Sequence, residues 1–210
     1  MSKVLKCKDT INMSDRAYNH FRSQLDLNLP VMNEIRNYRK SLDRKYNLFK
    51  NELGVFLSVR QKLTIIFGKL IEYLKLDDND TLKIKFSGDG TNIGKKLKVF
   101  TFTFTCINDV ANCKIANGNY TLGMFEIQQE NYKELSICLK EIFDEIETID
   151  EIEVNHKSYR LKKFLGGDWK FMACVLGLNA ANSKYPCLWC TCASKEFHDL
   201  NKVGSLPIFL

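Results

Sequence analysis

The sequence predicts an α/β protein: a mixed sheet built in the order β-β-β-α-β-α, preceded by a helical region. Three observations predict it. Apolar residues recur at three- and four-residue spacing through the first 75 residues, the period drops to two just after residue 80, and a helical period returns over about 130–147. A sheet of this kind needs apolar cover from helices, and the stripe at 135–146 can supply it.

The helical region comes first. Ser14 can cap a segment running through Tyr18, Phe21 and Leu25, with Asp15 in the favourable first turn. A second helix can begin at Pro30, whose missing N–H is harmless there, with Ile35, Tyr38, Leu42 and Phe49 as its stripe. A third carries Phe56, Val59, Leu63, Ile66, Phe67, Leu70 and Leu74. Residues 1–78 thus read as a basic helical region, 79–182 as the α/β core, and 183–210 as the start of a cysteine-bearing region.

The core opens where Leu82, Ile84 and Phe86 alternate with Lys83 and Lys85, a half-buried strand pattern. Gly88, Gly90 and Gly94 then mark a turn around Asp89. Residues 98–107 form a second strand in which Phe100, Phe102 and Phe104 share a face opposite threonines. A third strand covers Tyr120 to Ile127. The helix at 130–147 follows, with Leu135, Cys138, Leu139, Ile142, Phe143 and Ile146 on one side. Segments 151–155 and 158–165 read as short strands joined at Asn155-His156, and Asp168 precedes a short helix, Trp169–Leu176.

Composition sets the outer bounds. The chain has 210 residues, 45% hydrophobic and 27% charged, which is a globular balance, and no apolar run reaches the length of a membrane span. The start, MSKVLKCKDT, has no apolar signal segment, which points to an intracellular protein. The net charge of +6 is uneven: residues 1–75 hold 15 Lys/Arg against 7 Asp/Glu, and residues 126–153 hold 2 against 10. A basic front and back favour a polyanionic partner, although an ordinary solvated surface has the same look.

Asp89 and Asp168 are the candidate catalytic residues. If the first strand lies beside the fourth in parallel, both carboxylates reach one sheet edge, where they can share two hard divalent ions about 4 Å apart. Each also has a plainer reading, as a turn aspartate and as a helix cap. Of the eight cysteines, only Cys187, Cys190 and Cys192 cluster. Cys187 and Cys190 have the C-x2-C spacing of half a tetrahedral Zn²⁺ site, with Cys192 and His198 as local candidates for more ligands. A redox pair and inert buried thiols are the alternatives.

The order β-β-β-α-β-α is that of an RNase H-like core. The landmarks together resemble the catalytic core of the Transib transposases and of the V(D)J recombinase catalytic subunit. The resemblance rests on SGDG at Asp89, then VFTFTFT, YRLKKFLGGDWKF at Asp168 and GLNAANSKYPCLWC at the knuckle, with SDRAYNHF upstream, in order along roughly residues 14–192. It implies a DDE-type nuclear DNA transposase or recombinase, an endonuclease with metal-dependent phosphodiester hydrolysis and strand transfer, acting as a homodimer on DNA. Asp89 and Asp168 would be Mg²⁺ or Mn²⁺ ligands, Cys187 and Cys190 zinc ligands, and Lys95, Lys96 and Lys170 phosphate contacts. In the family the third acid, a glutamate, and two zinc-binding histidines stand far downstream. The expectation is therefore an amino-terminal part of such a domain, inactive by itself. A non-catalytic transposon-derived nucleic-acid-binding or scaffold protein is the alternative, and no membrane partner is expected.

Overall fold

The computed structural model describes residues 1–24, 28–46, 48–77, 80–94, 97–178, 182–196 and 199. Two compact units divide the chain, Met1–Leu48 and Phe49–Leu210.

The first unit is helical: α1 (Ser2–Thr10), α2 (Asp15–Gln24) and α3 (Met32–Lys45). Its small core is Leu5, Tyr18, Met32 and Ile35. Ser14 caps α2 by accepting from the Ala17 amide at 3.1 Å, as the sequence predicts. The helix expected at Pro30 starts at Met32, where Glu34 reaches back to accept from the Val31 amide at 2.9 Å. Asp15 ties the three helices together, with Lys8 and Arg36 each 2.9 Å from its carboxylate. Those two cations, Lys8 foremost, hold the Asp15 carboxyl below its usual range.

The second unit is a mixed α/β structure. Its strands are β1 (Leu48–Lys50), β2 (Gly54–Leu57), β3 (Leu82–Ile93), β4 (Leu97–Cys106), β5 (Asn119–Glu126), β6 (Glu151–Val154) and β7 (Lys157–Leu165). Its helices are α4 (Val59–Leu74), α5 (Tyr132–Thr148) and α6 (Trp169–Val175). The sheet order is β1-β2-β5-β4-β3-β7-β6, and β7 lies parallel to β3 while β3, β4 and β5 form an antiparallel meander.

Phe49 and Phe56, expected in helices, lie in β1 and β2 instead. The Asn51 side chain accepts from the Leu53 and Gly54 amides at 3.0 and 2.9 Å, which turns the chain between the two strands. β2 then pairs with β5, and at Gly54 an added Cβ would stand 2.2 Å from the Met124 carbonyl oxygen. Pairing with a distant strand overrides the local helical spacing.

Helices α4, α5 and α6 share one core with one face of the sheet. Leu82, Ile84, Phe86, Phe100, Phe102 and Phe104 meet Leu63 and Phe67 of α4, Leu139 and Ile142 of α5, and Phe171 of α6 in that cluster. Rings interlock across the layers: Phe102 meets Phe143 edge-on at 5.6 Å, and Phe100 stacks on Phe171 at 5.9 Å. Glu145 of α5 also caps α4, accepting from the Val59 and Arg60 amides at 2.8 and 3.0 Å and from the Ser58 hydroxyl at 2.7 Å. Among the described residues, no helix is long and apolar enough to cross a membrane.

Candidate active site at the edge of β3 and β7

Strand alternation decides where each residue of β3 points. Leu82, Ile84, Phe86 and Gly88 are buried on the helix-covered face, so Lys83, Lys85, Ser87 and Asp89 occupy the other. Asp89 is exposed and pairs with Thr101 within the strand. The turn expected around it is absent: β3 continues to Ile93, and Gly94, at φ 66°, is where the backbone leaves extended geometry. The neighbouring glycines serve packing rather than a turn. A Cβ at Gly88 would stand 2.3 Å from Cζ of Phe100 and 2.7 Å from Cε2 of Phe171, and one at Gly90 would stand 3.1 Å from Oε2 of Glu130.

The parallel ladder sets Phe86 opposite Leu165, and the Gly166 amide donates to the Phe86 carbonyl at 2.9 Å. Asp89 and Asp168 each follow three residues beyond that rung, so both belong to the same edge of the sheet. Asp168 is the N-cap of α6, its Oδ1 accepting from the Phe171 amide at 2.7 Å. Gly167 lets α6 turn back closely, since a Cβ there would stand 2.5 Å from Cδ1 of Phe171.

Lys170, expected to meet phosphate, is instead bound to Glu130, its Nζ 2.5 Å from Oε2. That contact pushes the Lys170 ammonium up. The Glu130 side chain is only 10% exposed, so its carboxylate is held under the pair rather than in open solvent. A shallow pocket of about 220 Å³ lies here, lined by Gly90, Thr91, Asn92, Lys98, Glu130 and Lys170. Sequence reasoning missed Glu130 because it lies in a loop far from both aspartates in the chain. Only the fold lays it over Gly90 and beside α6. Lys95 and Lys96 lie outside the described residues.

As a place for a hard divalent ion, the edge offers incomplete ligation. Asp89 has both oxygens free of hydrogen bonds and ion pairs among the described residues, Asp168 has one oxygen engaged by the cap, and Glu130 is already neutralised. No group of three His, Cys, Asp or Glu residues able to hold a metal occurs among the described residues.

The cysteine segment is a turn after α6, anchored by Leu188, which is buried in the main core. Cys187 Sγ accepts from the Trp189 amide at 3.4 Å. Partial burial pushes the Cys187 thiol up, but hydrogen bonds from the Trp189 amide and from Cys190 outweigh it and leave the thiol below its ordinary range. Thiolate sulfur accepting backbone N–H bonds suits half of a tetrahedral zinc site. Cys192 Sγ instead faces its neighbour's carbonyl, Ala193 O, at 3.7 Å, and His198 lies outside the described residues.

No protein-family model matches this chain, and no curated protein matches it.

Proposed function

We propose that the second unit is the amino-terminal part of a DDE-type transposase or recombinase catalytic domain, with β3, β4, β5, α5, β7 and α6 as an RNase H-like core. The reading is carried by one observation. The parallel rung Phe86–Leu165 is followed three residues later on each side by an aspartate, Asp89 within β3 and Asp168 past the end of β7 at the cap of α6. In this reading the two carboxylates would hold Mg²⁺ or Mn²⁺, and the ion would activate water or a DNA 3′-hydroxyl toward a phosphodiester. Cys187 and Cys190 contribute two thiolates to a structural Zn²⁺ site.

The test is a Mn²⁺ titration of the chain by water-proton relaxation, with Asp89→Asn and Asp168→Asn beside it. The proposal expects weak binding that both substitutions reduce at least tenfold. Equal binding by all three proteins would overturn it.

A non-catalytic, transposon-derived nucleic-acid-binding protein is the second reading. It is favoured by the engagement of Glu130 with Lys170, which leaves no third free carboxylate beside Asp89 and Asp168 among the described residues. Under that reading duplex DNA binds without any response to Mn²⁺.

A further inference from the structure

The face of the sheet away from the helices carries a row of cations of which, among the described residues, Arg160 alone has an ion pair, a long one to Glu151. β3 presents Lys83 and Lys85 there, and β7 presents Arg160, Lys162 and Phe164. The parallel register sets Lys83 directly opposite Lys162, and Lys85 opposite Phe164. Like charges facing each other across a ladder are destabilising, and a sheet face normally relieves them with an opposing carboxylate. Here Lys83 and Lys85 have no ion pair among the described residues. Lys162 lies over the Phe164 ring at 5.5 Å, and Arg160 has only Glu151, at 3.8 Å, with 85% of its side chain exposed.

Hydroxyls continue the surface beside these cations. Ser87 follows Lys85 along β3 with Thr103 opposite it on β4, their hydroxyls 3.1 Å apart, and Thr101 lies opposite Asp89. Same-face residues along a strand are about 6.6 Å apart and adjacent strands about 4.8 Å apart, so the cations form a two-column array. Lysine and arginine joined by small hydroxyls match the repeating acceptors of a phosphodiester backbone. The β3 column also runs straight to Asp89.

We propose that this open sheet face, through Lys83, Lys85, Arg160 and Lys162, binds the phosphate backbone of duplex DNA and leads it toward Asp89. The choice of DNA as the polyanion rests on the function proposed above; the cation array itself does not. Binding here rests on charge and phosphate contacts, so it depends on salt more than on base sequence.

The experiment is fluorescence anisotropy of a labelled random-sequence DNA duplex with the whole chain, at several salt concentrations and without divalent ions. The variant carries Lys83→Gln, Lys85→Gln, Arg160→Gln and Lys162→Gln; Lys83, Arg160 and Lys162 are exposed and Lys85 is half-buried, and circular dichroism checks that the variant folds. Lys133→Gln with Lys140→Gln on α5 is the charge control. The expected result is at least a tenfold loss of affinity in the four-site variant, with the plot of log K against log salt flattened by about 3–4, at roughly 0.9 per released phosphate contact. The control changes neither. Equal loss in variant and control, or no loss in either, overturns the proposal. So does a four-site variant that binds DNA normally but no longer self-associates in sedimentation, because a second copy of the chain would then be the occupant. The two readings are tested separately: this DNA binding is measured without divalent ions, so a failed Mn²⁺ titration leaves it standing, and a successful titration does not rescue it.

Discussion

Phe86 and Leu165 occupy one rung of a parallel ladder, although 79 positions separate them in sequence, and the two candidate aspartates follow that rung in step. Just beyond it, Gly88 and Gly167 both admit the Phe171 ring close to the backbone.

Gly88→Val should therefore destabilise the second unit by about 1–3 kcal/mol, since the new side chain must displace Phe100 or Phe171 in a filled core. Chemical denaturation monitored by near-ultraviolet circular dichroism reads the change. An unaltered midpoint would mean that the rings at this edge repack freely.

Asp168 has a structural role that can be separated from ion binding. Asp168→Ala should lose about 0.5–2 kcal/mol through the missing cap, while Asp168→Ser retains a capping oxygen and most of the stability. Mn²⁺ binding should fall in both. Retained binding in Asp168→Ser would show that its carboxylate is only a cap.

Glu145 accepts three hydrogen bonds at the start of α4 from a position more than 80 residues away. Removing it as Glu145→Ala should cost about 1–3 kcal/mol. The Val59 and Arg60 amides should exchange with solvent faster than in the wild type, as hydrogen exchange with mass spectrometry would reveal.

Asp15 gives the first unit an acid-sensitive clasp. Its carboxyl is depressed in the folded state by Lys8 and Arg36, so its contribution is present above the unfolded value, near 3.8, and is lost as pH falls through the lower folded value. The thermal stability advantage of the wild type over Asp15→Asn should hold at pH 6 and shrink steadily below about pH 4. A constant difference from pH 6 to pH 2 would contradict this linkage.

The cysteines should divide by environment. Burial pushes Cys138 up to about 11, so at pH 8 it is almost wholly protonated. Iodoacetamide at that pH should leave Cys138 unmodified in the folded chain and label Cys187, and added Zn²⁺ should slow labelling at Cys187 and Cys190 alone. Peptide mass spectrometry reads all three.

Local physics made much of this legible from the sequence. Alternation in LKIKF and VFTFTFT exposed β3 and β4, the three- and four-residue spacing of Leu135 to Ile146 exposed α5, and Ser14 marked a cap that forms. These signals reside within a few turns or pleats of chain, where burial of one face dictates the period. Asp168 before Trp169 was equally readable as a cap, and it is one.

Tertiary structure decided what depends on distant partners. Phe49 and Phe56 became strand residues because β5 was available to pair with β2, a contact that no local period encodes. Gly88 and Gly90 looked like a turn, yet the rings of Phe100 and Phe171 and the Glu130 carboxylate require their small size within a continuous strand. Lys170 found Glu130 rather than solvent, and the opposed pair of Lys83 and Lys162 arose from register alone. Sequence determined which faces would be apolar; register and helix docking decided which charges would meet, because electrostatic neighbours are set by distance in space and not by separation along the chain.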